Sequence, residues 1–179
     1  RLIELGVALH LGSAVERIDG TAALAETIQI AGGSPTPFDF FVVAAPWTVA
    51  ADLLSPELFA AAPRIADAGK LESSPITGVH LWFNRPITHL PHAVLVGRLG
   101  QWLFSRGRQD DSDERNDSHY YQVVVSASRS LIGRSGDEIA AEIADELRAI
   151  WPNARSARLL HSRVVTEKRA VFSPLPGAD

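Results

Sequence analysis

The sequence predicts an α+β chain that carries part of an α/β sheet in its first third, and three observations lead there. Residues 38–45, Phe-Asp-Phe-Phe-Val-Val-Ala-Ala closed by Pro46, form a continuous apolar run of the kind a strand covered on both faces needs. Beyond residue 73 several segments alternate apolar and polar side chains, the pattern of antiparallel strands with one buried face. Residues 135–151 place Ile139, Ile143, Leu147 and Ile150 at helical spacing behind Ser135-Gly136-Asp137-Glu138, a capping box.

Each element has its own justification. Residues 1–5 read as the last turn of a helix, with Gly6 where a left-handed cap belongs. Val7, Leu9 and Leu11 alternate with Ala8 and His10 and predict a strand, and residues 13–18 predict a second extended piece. Asp19-Gly20 is a turn signal, and residues 27–30 run into the glycine loop 31–34, giving a small antiparallel meander. After the buried strand at 38–45, Pro46 ends the ladder and residues 47–54 take helical spacing. Short helices broken at Pro63 fill residues 56–71. In residues 75–83, Val79, Leu81 and Phe83 alternate with His80 and Trp82. Residues 93–96 and 101–105 flank Gly97-Arg98-Leu99-Gly100 as a hairpin, and residues 120–127 form another strand. The capped helix, with Glu142, Asp145 and Glu146 outward, ends at Trp151-Pro152-Asn153, and residues 158–165 close the sheet.

Composition excludes several functions. The 179 residues are 46% hydrophobic and 21% charged, a globular balance that rules out wholesale disorder. A net charge of -4 leaves no basic footprint for nucleic acid. No apolar run approaches the roughly 20 residues that cross a bilayer, and the first residues lack the pattern of a signal peptide. Without cysteine there is no disulfide, thiolate metal site or thiol nucleophile. The chain also lacks methionine and begins within an apolar pattern, from which we expect an internal piece of a longer protein.

Catalytic signatures are scarce. The sequence holds no G-x-S-x-G, P-loop, G-x-G-x-x-G or H-E-x-x-H motif. His89 and His92 form a close pair that lacks the further ligands a metal needs. His10, His80 and His161 fall within strand patterns, where a hydrogen-bonded structural role is the simpler reading; His80 differs in sharing a face with Trp82. The acidic run at 110–114 reads as a solvated loop. Arg163, Lys168 and Arg169 read as a solvated or ion-paired face, an anion or flavin contact being the sharper alternative. The aromatic set Trp82, Phe83, Trp102, Phe104, Tyr120 and Tyr121 reads first as core between sheet and helix, with the lining of an apolar cavity as the alternative.

Two segments together carry a resemblance. Residues 6–18, Gly-Val-Ala-Leu-His-Leu-Gly-Ser-Ala-Val-Glu-Arg-Ile, followed by residues 38–46, resemble the interior of the flavin amine oxidase and phytoene desaturase superfamily. The resemblance implies that the backbone of Val15 meets the adenine of FAD and that Ala45-Pro46 is the turn beside the cofactor. In the second half, residues 73–87, 101–107 and 163–172 resemble the bacterial squalene-associated FAD-dependent desaturases, also described as hydroxysqualene dehydroxylases.

What this implies is an oxidoreductase with FAD as cofactor and an amine-oxidase-like two-domain fold. Residues 1–55 would be part of the FAD-binding domain, 56–72 a helical connector and 73–179 a substrate-binding domain. The implied reaction is reductive dehydroxylation of hydroxysqualene to squalene in hopanoid synthesis, with His80, Trp82, Trp102 and Phe104 toward the isoprenoid substrate and no catalytic residue assigned. The implied setting is cytoplasmic and peripheral to the inner membrane, with the remainder of its own chain as partner. The family's N-terminal dinucleotide fingerprint and C-terminal flavin-contacting segment are not in the sequence, so these residues alone are not expected to hold FAD. Gly78 stands where amine oxidases commonly carry a lysine, which argues against amine oxidation. The alternatives are another flavin oxidase on the same fold and a non-catalytic lipid-binding module.

Overall fold

The computed structural model describes residues 1–108 and 118–173, apart from the side chains of residues 66, 107 and 108; the acidic run at 110–114 lies outside the described residues. The chain divides into two compact units, Arg1–Leu71 and the part from Glu72 onward.

In the first unit a 3₁₀ turn, Ile3–Leu5, ends on Gly6 at φ 80°, where a side chain would be strained. Strands β1 (Val15–Gly20), β2 (Ala25–Ile30) and β3 (Thr36–Pro37) form the antiparallel meander in sequential order. A short helix α1 (Trp47–Ala50) and a 3₁₀ turn follow, then α2 (Pro56–Ala61) and α3 (Pro63–Ala68). Ser55 caps α2 by accepting from the Leu58 amide, and Pro63 starts α3 where a missing N–H costs nothing.

Two predicted strands do not form. Residues 38–45 run without a ladder and stand open to solvent, with Phe40 and Val42 each 92% exposed. The stretch at 7–11 is likewise outside any strand, with Leu11 88% exposed. A doubly covered strand needs neighbours on both sides. Apart from an isolated parallel bridge between Ile18 and Leu54, the meander's strands pair only with one another; its last strand is two residues long, and, among the described residues, the 38–45 run meets the meander through a single bond from the Phe38 amide to the Glu26 carbonyl at 3.2 Å.

The second unit is a five-stranded antiparallel sheet in the order β5-β6-β7-β4-β8. Its strands are β4 (Ser73–Phe83), β5 (His92–Val94), β6 (Trp102–Arg108), β7 (His119–Ser126) and β8 (Leu159–Phe172). Helix α4 (Gly136–Ile150) covers one face, followed by α5 (Pro152–Ser156). Strand β4 pairs with β7 on one side and β8 on the other: Val79 lies opposite Val123 and Val164, and Leu81 opposite Tyr121 and Ser162. The core is therefore one parity of each strand, Val79, Leu81, Phe83, Leu103 and Val123, packed with Ile139, Ile143 and Leu147 of α4.

Polar groups on this buried side are satisfied. Thr77 hydrogen-bonds Ser128 at 2.8 Å and Thr166 at 2.9 Å. The Tyr121 hydroxyl accepts from the Ile87 amide at 3.1 Å and donates to the Thr88 carbonyl at 3.4 Å. Both bonds of the capping box form, each at 3.2 Å between Ser135 and Glu138.

The expectation that Glu146 points outward is corrected. Its carboxylate accepts from the backbone amides of Leu99 at 2.8 Å and Gly100 at 3.0 Å, fastening the β5–β6 hairpin to α4. Helical spacing alone shows only that the residue is off the apolar stripe; the hairpin that reaches it comes from 46 residues away. Gly100 is needed for this approach, because a Cβ there would lie 2.8 Å from Val123 Cγ1 and 3.3 Å from Ile143 Cδ1. We predict that Glu146→Ala, which leaves two amides without their charged acceptor, destabilises the second unit by about 1–3 kcal/mol. Urea unfolding of the intact protein measures this, and an unchanged midpoint would refute the fastening role.

Candidate functional site

Among the described residues of this unit no helix covers the sheet's second face, and the parity that buries Val79 and Leu81 turns Gly78, His80 and Trp82 toward it. Register then assembles rows across strands. In one row Phe104, Gln122, His80 and Arg163 lie side by side across β6, β7, β4 and β8. In the next, Tyr120, Trp82 and His161 are neighbours. Between them lies a cavity of about 550 Å³ lined by His80, Trp82, Arg106, Tyr120, Gln122, Arg163 and Val165.

The aromatic rings of the face pack on one another. Trp82 lies between Tyr120 and His161, with ring centroids 5.0 Å from each, and Trp102 stacks on Phe104 at 6.0 Å with planes 9° apart. The reading of the aromatic set as core is thus corrected for four of its members. Phe83 and Tyr121 are buried under α4, and Trp82, Trp102, Phe104 and Tyr120 are on the open face, with Trp102 42% and Phe104 38% exposed. Alternation separates the members, since Trp82 and Phe83, like Tyr120 and Tyr121, are consecutive.

At the centre His80 Nδ1 and the Tyr120 hydroxyl are hydrogen-bonded at 2.6 Å. Burial, with a further contribution from the Arg163 guanidinium, holds the His80 ring below the ordinary imidazole range. Burial pushes the Tyr120 phenol up, against the opposing pull of Arg106. The pair is therefore neutral near pH 7, and it gives and takes hydrogen bonds beside Trp82, Gln122 and the two arginines of the cavity.

The site residues expected from sequence fall in both units. His80 and Trp82 line the cavity, and Trp102 and Phe104 share its sheet face. In the first unit Val15 opens β1 and is paired with Ile30, while Ala45 and Pro46 lead into α1, the Pro46 carbonyl accepting from the Val49 and Ala50 amides. The His89 and His92 side chains are exposed, and no group of three metal-ligating side chains occurs among the described residues. Sequence reading missed Gln122 and Arg106 and left Arg163 on a solvated face. The signal for Gln122 and Arg163 is cross-strand register, since both lie directly opposite His80.

A family model described as flavin containing amine oxidoreductase matches residues 1–179. Among curated proteins, the chain is 26% identical over 187 residues to the chloroplastic/chromoplastic 15-cis-phytoene desaturase of Glycine max, a match that covers 98% of this chain and 32% of that one. It is 28% identical over 139 residues to the 15-cis-phytoene desaturase of Synechococcus elongatus, covering 70% of this chain and 27% of that one. The chain spans less than a third of the length of these relatives. Among solved structures, an oxidoreductase from Methanosarcina mazei superposes with a TM-score of 0.70 at 17% identity, over 94% of this chain and 40% of that chain. A redesigned putrescine oxidase superposes with a TM-score of 0.66 at 15% identity, over 90% of this chain and 36% of that chain. What these structures share with the chain is its fold.

The lowered His80 value sets a pH dependence. The folded state binds its proton less readily than the unfolded chain, so as pH falls through about 6.5 the unfolded state takes up protons first and stability drops. The contribution of neutral His80 is complete above that value and is lost toward the lower folded value. We predict that His80→Gln flattens the fall in stability between pH 7 and pH 5, measured by urea unfolding across that range. An identical slope in both proteins would contradict the assignment.

Proposed function

We propose, on the premise that the chain belongs to the flavin-containing amine oxidoreductase family, that it is part of an FAD-dependent oxidoreductase acting on a long apolar isoprenoid. The observation that carries this reading is the open sheet face, where the rings of Trp82, Tyr120, Trp102 and Phe104 stand at or beside a cavity of about 550 Å³ whose rim also carries Arg106 and Arg163. The curated relatives named phytoene desaturase support the substrate class. The finer reading, reductive dehydroxylation of hydroxysqualene to squalene, rests on the resemblance of residues 73–87, 101–107 and 163–172 to the squalene-associated desaturases.

The chain's own residues fit part of FAD. Two exposed apolar stretches, at 7–11 and 38–45, lead to Val15 and to Ala45-Pro46. Neutral, apolar groups of this kind suit the adenine and the flavin rim, and exposed apolar surface of this extent is what a ligand or another part of a fold covers. In this reading residues 1–55 belong to the cofactor domain, 56–72 connect, and residues from 73 onward hold substrate. FAD, when bound, supplies the hydride or electron transfer. Trp82, Trp102, Phe104 and Tyr120 hold the substrate chain by apolar contact and exclude water from it.

Amine oxidation fits less well. Gly78 brings no cation to the face at the position where the resemblance to amine oxidases implies a lysine. For location we propose the cytoplasm at the edge of the inner membrane, from which an isoprenoid would be drawn. No helix among the described residues is long and apolar enough to cross a membrane.

We predict that Trp102→Ala or Phe104→Ala in the intact protein lowers hydroxysqualene turnover by roughly tenfold or more, the equivalent of one lost aromatic contact area. Bound flavin, read from its visible absorbance, should be unchanged. Equal loss of flavin and turnover would remove these residues from the substrate site, and intact protein that carries no flavin would refute the family-based activity.

A further inference from the structure

Gly78 leaves a notch in the open face. A Cβ built on it would lie 3.4 Å from His80 Nε2 and 3.5 Å from Gln122 Nε2, so two polar side-chain atoms of neighbouring strands flank the gap left by the missing side chain, and a ligand atom would sit over that gap, farther from the backbone. Val165 supplies a backbone carbonyl 3.9 Å from the same point, and the aromatic wall begins immediately beyond, at Trp82 and Tyr120. His80 is fixed in this position from its other nitrogen, through the 2.6 Å bond to Tyr120, and by stacking near Trp82 at 6.3 Å.

We infer that the notch over Gly78, between His80 Nε2 and the Gln122 amide, seats a hydroxyl group carried by an otherwise apolar chain. This deepens the isoprenoid reading above and rests on it. A pure hydrocarbon lying on the face would cover His80 Nε2 and the Gln122 amide while giving them no partner, which penalises binding. A hydroxyl both donates and accepts, so it satisfies His80 Nε2 in either tautomer while accepting from Gln122 Nε2. The groups that converge here are uncharged: a glutamine amide and a histidine whose protonation burial and Arg163 disfavour. Arg106 and Arg163 line the wider cavity, and neither supplies one of the three atoms nearest the notch. A neutral oxygen therefore fits the centre better than a phosphate or carboxylate. The two bonding partners stand on neighbouring strands directly opposite one another, and His80 is further held by its bond to Tyr120.

The test is equilibrium binding to the intact, flavin-loaded protein, followed by tryptophan fluorescence, with three C15 probes of one chain: farnesol, the hydrocarbon farnesene and farnesyl diphosphate. The expected result is farnesol binding roughly 10- to 100-fold tighter than farnesene, with the diphosphate no tighter than the alcohol. Gly78→Ala fills the notch at ordinary contact distances and should bring farnesol down to the affinity of farnesene while leaving farnesene unchanged. Gln122→Leu, which keeps the side-chain volume, should do the same and guards against a folding defect in the glycine variant. Equal wild-type affinity for farnesol and farnesene, or an alcohol preference untouched by both substitutions, overturns the notch and leaves the isoprenoid reading standing. Preference for the diphosphate overturns it in favour of an anion site. Failure of all three probes to bind overturns the notch together with the isoprenoid reading.

Discussion

The second unit depends on the pairing of β4 along both of its edges. With β7 on one side and β8 on the other, the strand is fixed in register, and its side chains divide into two sets by parity alone. A slip of one residue would carry His80 and Trp82 under α4 and put Val79 and Leu81 into solvent. The energy that resists this slip is the burial of the apolar parity against Ile139, Ile143 and Leu147. The site on the opposite face is thus held in place by a core it does not touch.

That division explains how a polar cluster can sit on an aromatic surface. Each row across the sheet takes one residue per strand, so Gln122, His80 and Arg163 become neighbours, and Tyr120, Trp82 and His161 line up beside them. The His80–Tyr120 hydrogen bond crosses from one row to the next and ties strand β4 to β7 on the open side. Burial disfavours the charged form of both partners, as the proposed isoprenoid site would require. Fixed donors on paired strands need little reordering when a ligand arrives, which favours selectivity. The hairpin bound by Glu146 gives the same rigidity to β6, where Trp102 and Phe104 stand.

Much of the second unit was legible in the sequence because its signals are local. Alternation at 75–83, the glycine hairpin at 97–100, and the capping box with its helical stripe each specify their own element, and all three form. The first unit was less legible. The apolar run at 38–45 has the composition of a buried strand, but a strand exists only with a neighbour, and that neighbour is not a local property of the run. Glu146 was misread for the same reason, its partners lying in a distant hairpin. In the site, His80 and Trp82 could be assigned to one face by parity, whereas Gln122 and Arg163 join them only through a register that depends on how three strands pair. The consecutive pairs Trp82-Phe83 and Tyr120-Tyr121 show the limit of treating aromatics as one set, since each pair is split between core and open face.

The central claim is that the open parity of the sheet, and not its helix side or the first unit's meander, is the surface that meets substrate. Photo-crosslinking tests it most directly, with a farnesol analogue bearing a diazirine at the far end of its chain, applied to the intact flavin-loaded protein and mapped by peptide mass spectrometry. The account predicts labels on β4, β6 and β7 at Trp82, Trp102, Phe104 and Tyr120, suppressed by excess unlabelled farnesol. Competable labels confined to α4 or to the β1–β2 meander, with the open face unmarked, would contradict it.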